Sequence, residues 1–239
     1  MDTFWPAQER RSTKSRTLRV FEQVRAEILD GRLRPGARLH LTTLSGRFAV
    51  SLGAVREALS RLVADGLVQA IDRRGFRVSP VSIEDIRDIT ATRIEIEGLA
   101  LRRSIERGDA GWEAGIVASL HLLTRATPGL VTDPRLAKPD WVGLHERFHL
   151  ALIAACGSPW LLRFRQALFE QSERYRSLLV AHAVGGRDIS GEHKQIAAAT
   201  LDRDADRATA LLAAHFGTTM QMLEAADQAG AGILSGEAA

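Results

Sequence analysis

Cysteine is nearly absent, with one residue in a chain of 239. A lone Cys156 excludes an internal disulfide, and its apolar helical setting (ALIAACG), with no activating neighbour, reads as buried filler in preference to a reactive thiol. Long apolar runs are missing too. No stretch approaches the roughly 20 residues of a membrane span, and the N-terminal MDTFWPAQERR lacks the apolar core of a signal peptide, so a cytoplasmic chain with no membrane partner is expected. Beyond Pro80 there are no alternating strand-like runs, and glycine or proline interrupts the pattern only rarely. The composition that remains, 45% hydrophobic and 26% charged, supports one large core or two modest ones.

Charge is unevenly spread. Residues 9–80 hold fifteen Lys/Arg against seven Asp/Glu, while residues 81–239 hold seventeen against twenty-one. One part of the chain is therefore suited to a polyanion and the other is not, although a run of charge is also what a solvated face looks like.

The basic part reads as a small reading head. Leu18, Phe21, Val24, Ile28 and Leu29 recur at helical spacing and Gly31 supplies a stop. Pro35 and Gly36 punctuate the chain before a short second helix from Leu41 to Phe48. A tight connection, Ala49 to Ser51, leads to a third helix with Val55, Leu59 and Leu62 on one side and Gly53, Arg56 and Ser60 on another. Two short alternating runs, Leu67 to Ile71 and Phe76 to Ser79, flank the turn Asp72-Arg73-Arg74-Gly75 and predict a basic hairpin. Three helices and a hairpin make a winged helix-turn-helix, whose third helix is narrow enough for the major groove of double-stranded DNA. The alternative is a small α+β subdomain with solvated arginines.

From GRLRPGARL through FAVSLGAVREALSRLVADGLV to RRGFRVSPVS the chain resembles the DNA-binding domain of the GntR superfamily, with its PG-x-x-L turn, VREAL recognition helix, GLV exit and wing glycine. The resemblance implies DNA contacts at Thr42, Ser51, Gly53, Arg56, Arg73, Arg74 and Gly75. A guanidinium at position 56 suits a guanine edge or a phosphate. The chain departs from the pattern at Leu52, where many members carry Arg, and at Ala54, where many carry Pro or Thr. Leu52 cannot hydrogen-bond a base edge; a thymine methyl is its available partner.

The remaining chain predicts six helices, at 83–107, 110–126, 139–156, 159–183, 189–202 and 204–226, joined closely enough for an antiparallel bundle. The expected fold is thus mainly α: a winged helix-turn-helix with a small β-hairpin wing over residues 17–80 and an all-helical effector-binding and dimerisation domain over 81–228. A basic extension at 1–16 and a tail at 229–239 are expected to be disordered.

Histidine placement is the informative feature of this half. His145 and His149 stand at i and i+4 on one helix face, and His193 and His215 sit on the last two helices. Imidazoles from three helices can converge on a transition metal such as Zn²⁺ or Ni²⁺, whereas isolated helical histidines are ordinarily surface or hydrogen-bonded core residues. HERFH, EHKQI and LLAAH resemble the FCD effector-binding domain of the FadR branch of GntR regulators, which binds a divalent metal through one Asp and three His. The histidines correspond to His149, His193 and His215, and His145 occupies the aspartate position. An all-histidine set favours softer cations over Mg²⁺ and leaves the cavity one charge more positive, suited to an anion.

The same resemblance places Arg93 in the effector pocket, where it would clamp a carboxylate, with a surface pair to Glu97 as the alternative. Tyr175 and Arg174 are further pocket candidates. Six helices resemble the VanR-type division, and within it the carbon-starvation-induced regulators, which implies a homodimeric repressor of a catabolic operon, a pseudopalindromic operator, and release by a small carboxylate such as glutarate. Two other readings stand beside it. One is a constitutive DNA-binding dimer. The other is a zinc hydrolase, since residues 145–149 satisfy H-E-x-x-H, with Glu146 or Glu192 as base, although no third-ligand context of such proteases surrounds them.

Overall fold

The computed structural model describes residues 7–72, 74–127, 141–181 and 187–231. They form two compact units that divide after Val81. Among the described residues no helix is long and apolar enough to cross a membrane.

The first unit carries α1 (Ala7–Leu29), β1 (Arg38–Leu39), α2 (Leu41–Phe48), α3 (Leu52–Ala64), β2 (Val68–Ile71) and β3 (Gly75–Val78). The first helix begins at Ala7, ten residues before the expected Thr17, because no glycine or proline interrupts residues 7–29. Residues 1–6 lie outside the described residues. On that helix Val20, Val24 and Ile28 are buried while Leu18 is exposed, so the apolar stripe runs through 20, 24 and 28. They meet Val55, Leu59 and Leu62 of α3, all fully buried. Glu27, itself buried, accepts from Gln23 and Arg47 and ties α1 to α2.

The helix-turn-helix corner is tight. Ala49 takes a left-handed φ of 51° at the end of α2, and Ser51 then caps α3 by accepting from the Ala54 backbone N–H. The expected hairpin forms with Val68 opposite Val78 and Ile71 opposite Gly75, whose φ of 93° suits glycine. A third strand joins it: β1 pairs antiparallel with β3, giving the order β1-β3-β2. Two residues are too few for a period-2 signal, which is why β1 looks like part of a turn in the sequence.

The second unit is a bundle of α4 (Ile83–Arg107), α5 (Ala110–Ala126), α6 (Trp141–Ile153), α7 (Pro159–Ala181), α8 (Ile189–Leu201) and α9 (Ala205–Ala226). Four starts are set by side-chain caps: Ser82, Asp109, Asp188 and Asp204 each accept from a backbone N–H three residues on. Helix α4 packs on α7 and α9, while α5 packs on α6 and α8. Leu101, Ile116, Phe148, Leu152 and Ile196 fill the centre. A π-helical turn, Asp227–Ala231, follows α9, and residues 232–239 lie outside the described residues.

Replacement of Leu59 by Ala removes a fully buried side chain. Urea denaturation should show a loss of about 2–5 kcal/mol for Leu59→Ala. The same truncation at exposed Leu52 should change stability by no more than about 0.5 kcal/mol.

Candidate functional site

In the first unit, α2, α3 and the wing border one open cleft of about 580 Å³. Thr42, Arg56, Arg74 and Gly75 line it together with His40 and Phe76. Arg56 is exposed on α3 and makes no ion pair with any described residue, whereas its neighbour Glu57 holds Arg61. Ser51 and Gly53 lie outside the cleft lining. The Ser51 hydroxyl is committed to the helix cap at 3.2 Å, and Gly53 is exposed with only ordinary contact where a Cβ would stand. Arg73 lies outside the described residues.

In the second unit the four histidines meet. One ligand nitrogen from each of His145, His149, His193 and His215 falls within 4.8 Å of all the others, and all four residues are buried. Helix α6 supplies two because i and i+4 share a face; α8 and α9 supply one each. The Nε2 atoms of His145 and His149 face each other at 3.1 Å. Trp141 stacks on His145, its ring centroid 4.6 Å away, and Phe148 and Phe216 complete an aromatic wall. Burial, and then the charge of neighbouring groups, holds His145, His149 and His193 well below the ordinary histidine range. His215 is lowered for the same first reason, partly offset by its bond to Glu192.

Glu192 supports the cluster from behind. Its Oε2 lies 2.7 Å from His215 Nδ1, and Arg187 grips the same carboxylate while donating to the His215 carbonyl. Burial pushes the Glu192 carboxyl up, but hydrogen bonds from His215 and Arg187 outweigh it and bring it down to about 2. A carboxylate on Nδ1 fixes the tautomer that leaves Nε2 as a lone-pair donor, the usual support of a metal-binding histidine.

The donor set fits a metal ion. Three buried ring nitrogens, His145 Nδ1, His149 Nδ1 and His193 Nε2, have no partner among the described residues. Two facing Nε2 atoms can share one proton or one cation, and neutral imidazoles are the ligating form.

Beside the cluster a small cavity of about 40 Å³ is lined by Arg93, His145, Ser172, Glu173, Arg176 and His215, among others. Arg93 is buried, so the surface alternative does not hold, yet it is paired with Glu97 at 2.8 Å as the spacing suggests. Its Nη2 has no partner among the described residues and its guanidinium lies 4.0 Å from the Phe216 ring centroid. Tyr175 is not among the lining residues, a correction to its expected place in the pocket. Its phenol reaches the start of α4, donating to Asp85 at 2.5 Å and accepting from the Ser82 N–H at 3.1 Å, and burial raises its pKa. Arg174, also expected in the pocket, is buried but bonds Gln171 and is likewise absent from the lining. Glu146, the base of the hydrolase alternative, is absent too and lies 3.8 Å from Arg165. Arg165, Arg176, Ser172 and Arg187 were not singled out from the sequence. Only Glu192, adjacent to His193, carried a signal.

Family comparison matches residues 16–78 to bacterial regulatory proteins of the gntR family and residues 88–218 to the FCD domain. The chain is 44% identical over 204 residues to the HTH-type transcriptional regulator BphR of Paraburkholderia xenovorans (strain LB400), covering 85% of this chain and 83% of that one. The chain belongs to the GntR family of transcriptional regulators. This GntR chain is also 32% identical to the HTH-type transcriptional repressor GlaR of Escherichia coli (strain K12), over 86% of its own length and 94% of that relative. Escherichia coli McbR/YncC shares the fold with a TM-score of 0.72 at 22% identity, over 87% of this chain and 97% of that one. The matched domains and relatives are regulators and not enzymes, which removes the hydrolase alternative.

The buried histidines make stability pH-dependent with a definite sign. The unfolded chain takes up protons at them near the ordinary 6.5, while the folded chain does so only at lower pH. Their contribution is therefore complete above about pH 6.5 and is lost as pH falls below it. Glu192, held at about 2 against an ordinary 4.5, contributes above 4.5 and loses that only on further acidification. Metal-free protein should lose stability between about pH 7 and pH 5, and His149→Leu should flatten the profile. Equal profiles for both proteins would mean that the histidines are not buried and neutral.

Proposed function

We propose that this GntR-family regulator is a metabolite-responsive repressor of a catabolic operon, which releases DNA when a small carboxylate binds beside a divalent transition metal. The observation that carries this reading is the meeting of four buried histidines, two of which, His145 and His215, line one cavity together with the buried Arg93. His145, His149, His193 and His215 hold the metal, with Zn²⁺ or Ni²⁺ the ions best suited to four imidazoles. When bound, the metal supplies a positive centre for an acid's carboxylate. Arg93 offers the unpartnered Nη2 to the same group. A dicarboxylate such as glutarate is the effector class.

Residues 17–80 form the DNA-binding domain and 81–228 the effector and dimerisation domain in this reading. Arg56 and Arg74, with Arg73 beside them in the sequence, take phosphates or base edges; Thr42, Ser51, Gly53 and Gly75 shape the approach. Two heads on a homodimer read a pseudopalindromic operator. The repressor sense is supported by the relative GlaR, an HTH-type transcriptional repressor.

Within the second unit, Tyr175 supports a route from cavity to linker. Helix α7 carries the cavity residues Ser172, Glu173 and Arg176, and the intervening Tyr175 holds Ser82 and Asp85 at the start of α4. In sequence, Ser82 directly follows the first unit. A shift of α7 on ligand binding is passed to that first turn, and coupling of about 1–3 kcal/mol is enough for regulation.

Three measurements test this reading. Arg56→Ala should weaken operator binding by about 1–3 kcal/mol in fluorescence anisotropy titrations. Zn²⁺ or Ni²⁺ should raise the melting temperature of metal-stripped protein, a rise that His149→Ala abolishes. Tyr175→Phe should keep operator affinity but reduce its response to glutarate. No thermal shift with either ion in the unsubstituted protein would remove the metal site and favour a constitutive DNA-binding dimer.

A further inference from the structure

The ionic groups that border the histidine cluster come in matched pairs. Arg93 is bonded to Glu97, Arg176 to Glu173 and Arg187 to Glu192. A fourth guanidinium, Arg165, lies 3.7 Å from Glu97 and 3.8 Å from Glu146, which supplies the fourth carboxylate. The four histidines add no charge. A divalent ion held by them would therefore bring two positive charges into a buried site where, among the described residues that border it, no carboxylate is left unpaired to meet them. Uncompensated charge in a poorly solvated interior is costly, so a bound anion is drawn in with the metal. One carboxylate cancels half the excess, and a diacid cancels all of it.

The cavity also has a place for the second carboxylate. Arg176 presents its Nε and Nη2 edge to Glu173, at 2.8 and 2.7 Å, and no described residue bonds its Nη1. Its guanidinium lies 4.9 Å from the ring centroid of Trp141, which in turn stacks on His145. Arg176 is thus held beside the cluster with donors to spare, across the same cavity from Arg93. Ser172 Oγ, buried and without a partner, lines the space as well. About 40 Å³ is room for only a few water molecules, less than a five-carbon diacid needs. Of the three charged side chains that line it besides the histidines, Arg176 is the most exposed, at 18%.

We propose that the cavity selects dianions, and that Arg176 is the specificity-determining residue that reads the second carboxylate, with an imidazole in place of a carboxylate at position 145 setting the charge the ligand must bring. Glu173 is a positioning residue that holds the Nε edge so that Nη1 points to ligand. Arg176 moves outward with the incoming acid, which makes room for its chain. This inference rests on the metal-and-carboxylate reading above and adds to it the charge and the residue that choose among acids.

The test is calorimetric titration of the Zn²⁺-loaded full chain with glutarate and with pentanoate, which has the same carbon count and one charge fewer. Glutarate should bind at least about tenfold more tightly. Arg176→Met, made together with Glu173→Gln so that no unmatched charge is left in the cavity, should bring glutarate down to the affinity of pentanoate and leave pentanoate within about twofold, while the rise in melting temperature with Zn²⁺ alone persists and shows that fold and metal site are intact. His145→Asp, which places one negative charge among the ligands, should narrow the gap by strengthening pentanoate relative to glutarate. Equal affinities in the unsubstituted protein, or equal loss of both acids in that double variant, overturn the charge rule alone. Failure of both acids to bind Zn²⁺-loaded protein overturns the carboxylate reading, and this inference with it.

Discussion

Four imidazoles share a space so dry that burial disfavours the second ring proton, and with it the charge, on each of them. Burial removes the water that would solvate an imidazolium, and each ring lies beside others that would repel it. The helices around them answer that constraint. Helix α6 brings two rings at one turn's spacing, α8 and α9 close over them, and Trp141, Phe148 and Phe216 supply the apolar wall. Left alone, this arrangement is expensive, since a buried ring nitrogen without a partner costs about 1–3 kcal/mol. A core that keeps three such nitrogens has given up stability for chemistry.

The guanidiniums follow from the same constraint. In a poorly solvated interior each must stand next to a carboxylate, so the bundle threads Arg–Glu pairs along α4, α7 and α8. Such pairs seldom add net stability over well-packed apolar residues; what they add is direction. Glu97 orients Arg93 toward the cavity, Glu173 orients Arg176, and Arg187 with Glu192 fixes the His215 tautomer from outside the cluster. The aromatic rings take part, with Phe216 beneath Arg93 and Phe169 beneath Arg165. The site's polarity is thus set by matched partners and is sensitive to any one unmatched charge.

How much of this is legible in the sequence depends on the range of the interaction. Helix limits in the bundle follow caps that sit in the chain itself, and α4 and α5 end where the pattern predicts, at Arg107 and Ala126. The histidine cluster is legible because HERFH, EHKQI and LLAAH each carry a family pattern, not because spacing alone brings α6, α8 and α9 together. Arg176, Arg165 and Ser172 stayed hidden since nothing in a helical repeat tells an inward arginine from a solvated one. Tyr175 was misplaced for a related reason. Its neighbours on α7 line the cavity, but a tyrosine is long enough to take its hydroxyl to Asp85. Strand β1, two residues long, has no period to detect, and its pairing with β3 is fixed only when the wing folds back.

The head shows the opposite balance, with local geometry deciding what can touch DNA. Ser51 spends its hydroxyl on the α3 cap, and it can do so because residue 54 is Ala and retains an N–H; a proline there would remove that donor. The helix end is thereby satisfied from within the chain. Leu52, at the first position of α3, is about half exposed and has no polar atom on its side chain. In the proposed DNA-bound state an exposed leucine here would exclude water and meet an apolar base edge, which leaves hydrogen-bonded readout to Arg56 one turn on. A Cβ at Gly53, between them, would make only ordinary contact with the Ser51 hydroxyl, so nothing within the described residues demands glycine there. In the proposed DNA-bound state a glycine there serves close approach of the DNA backbone to α3, and that approach would bring Arg56 and the wing arginine Arg74, which line one cleft, to the same groove.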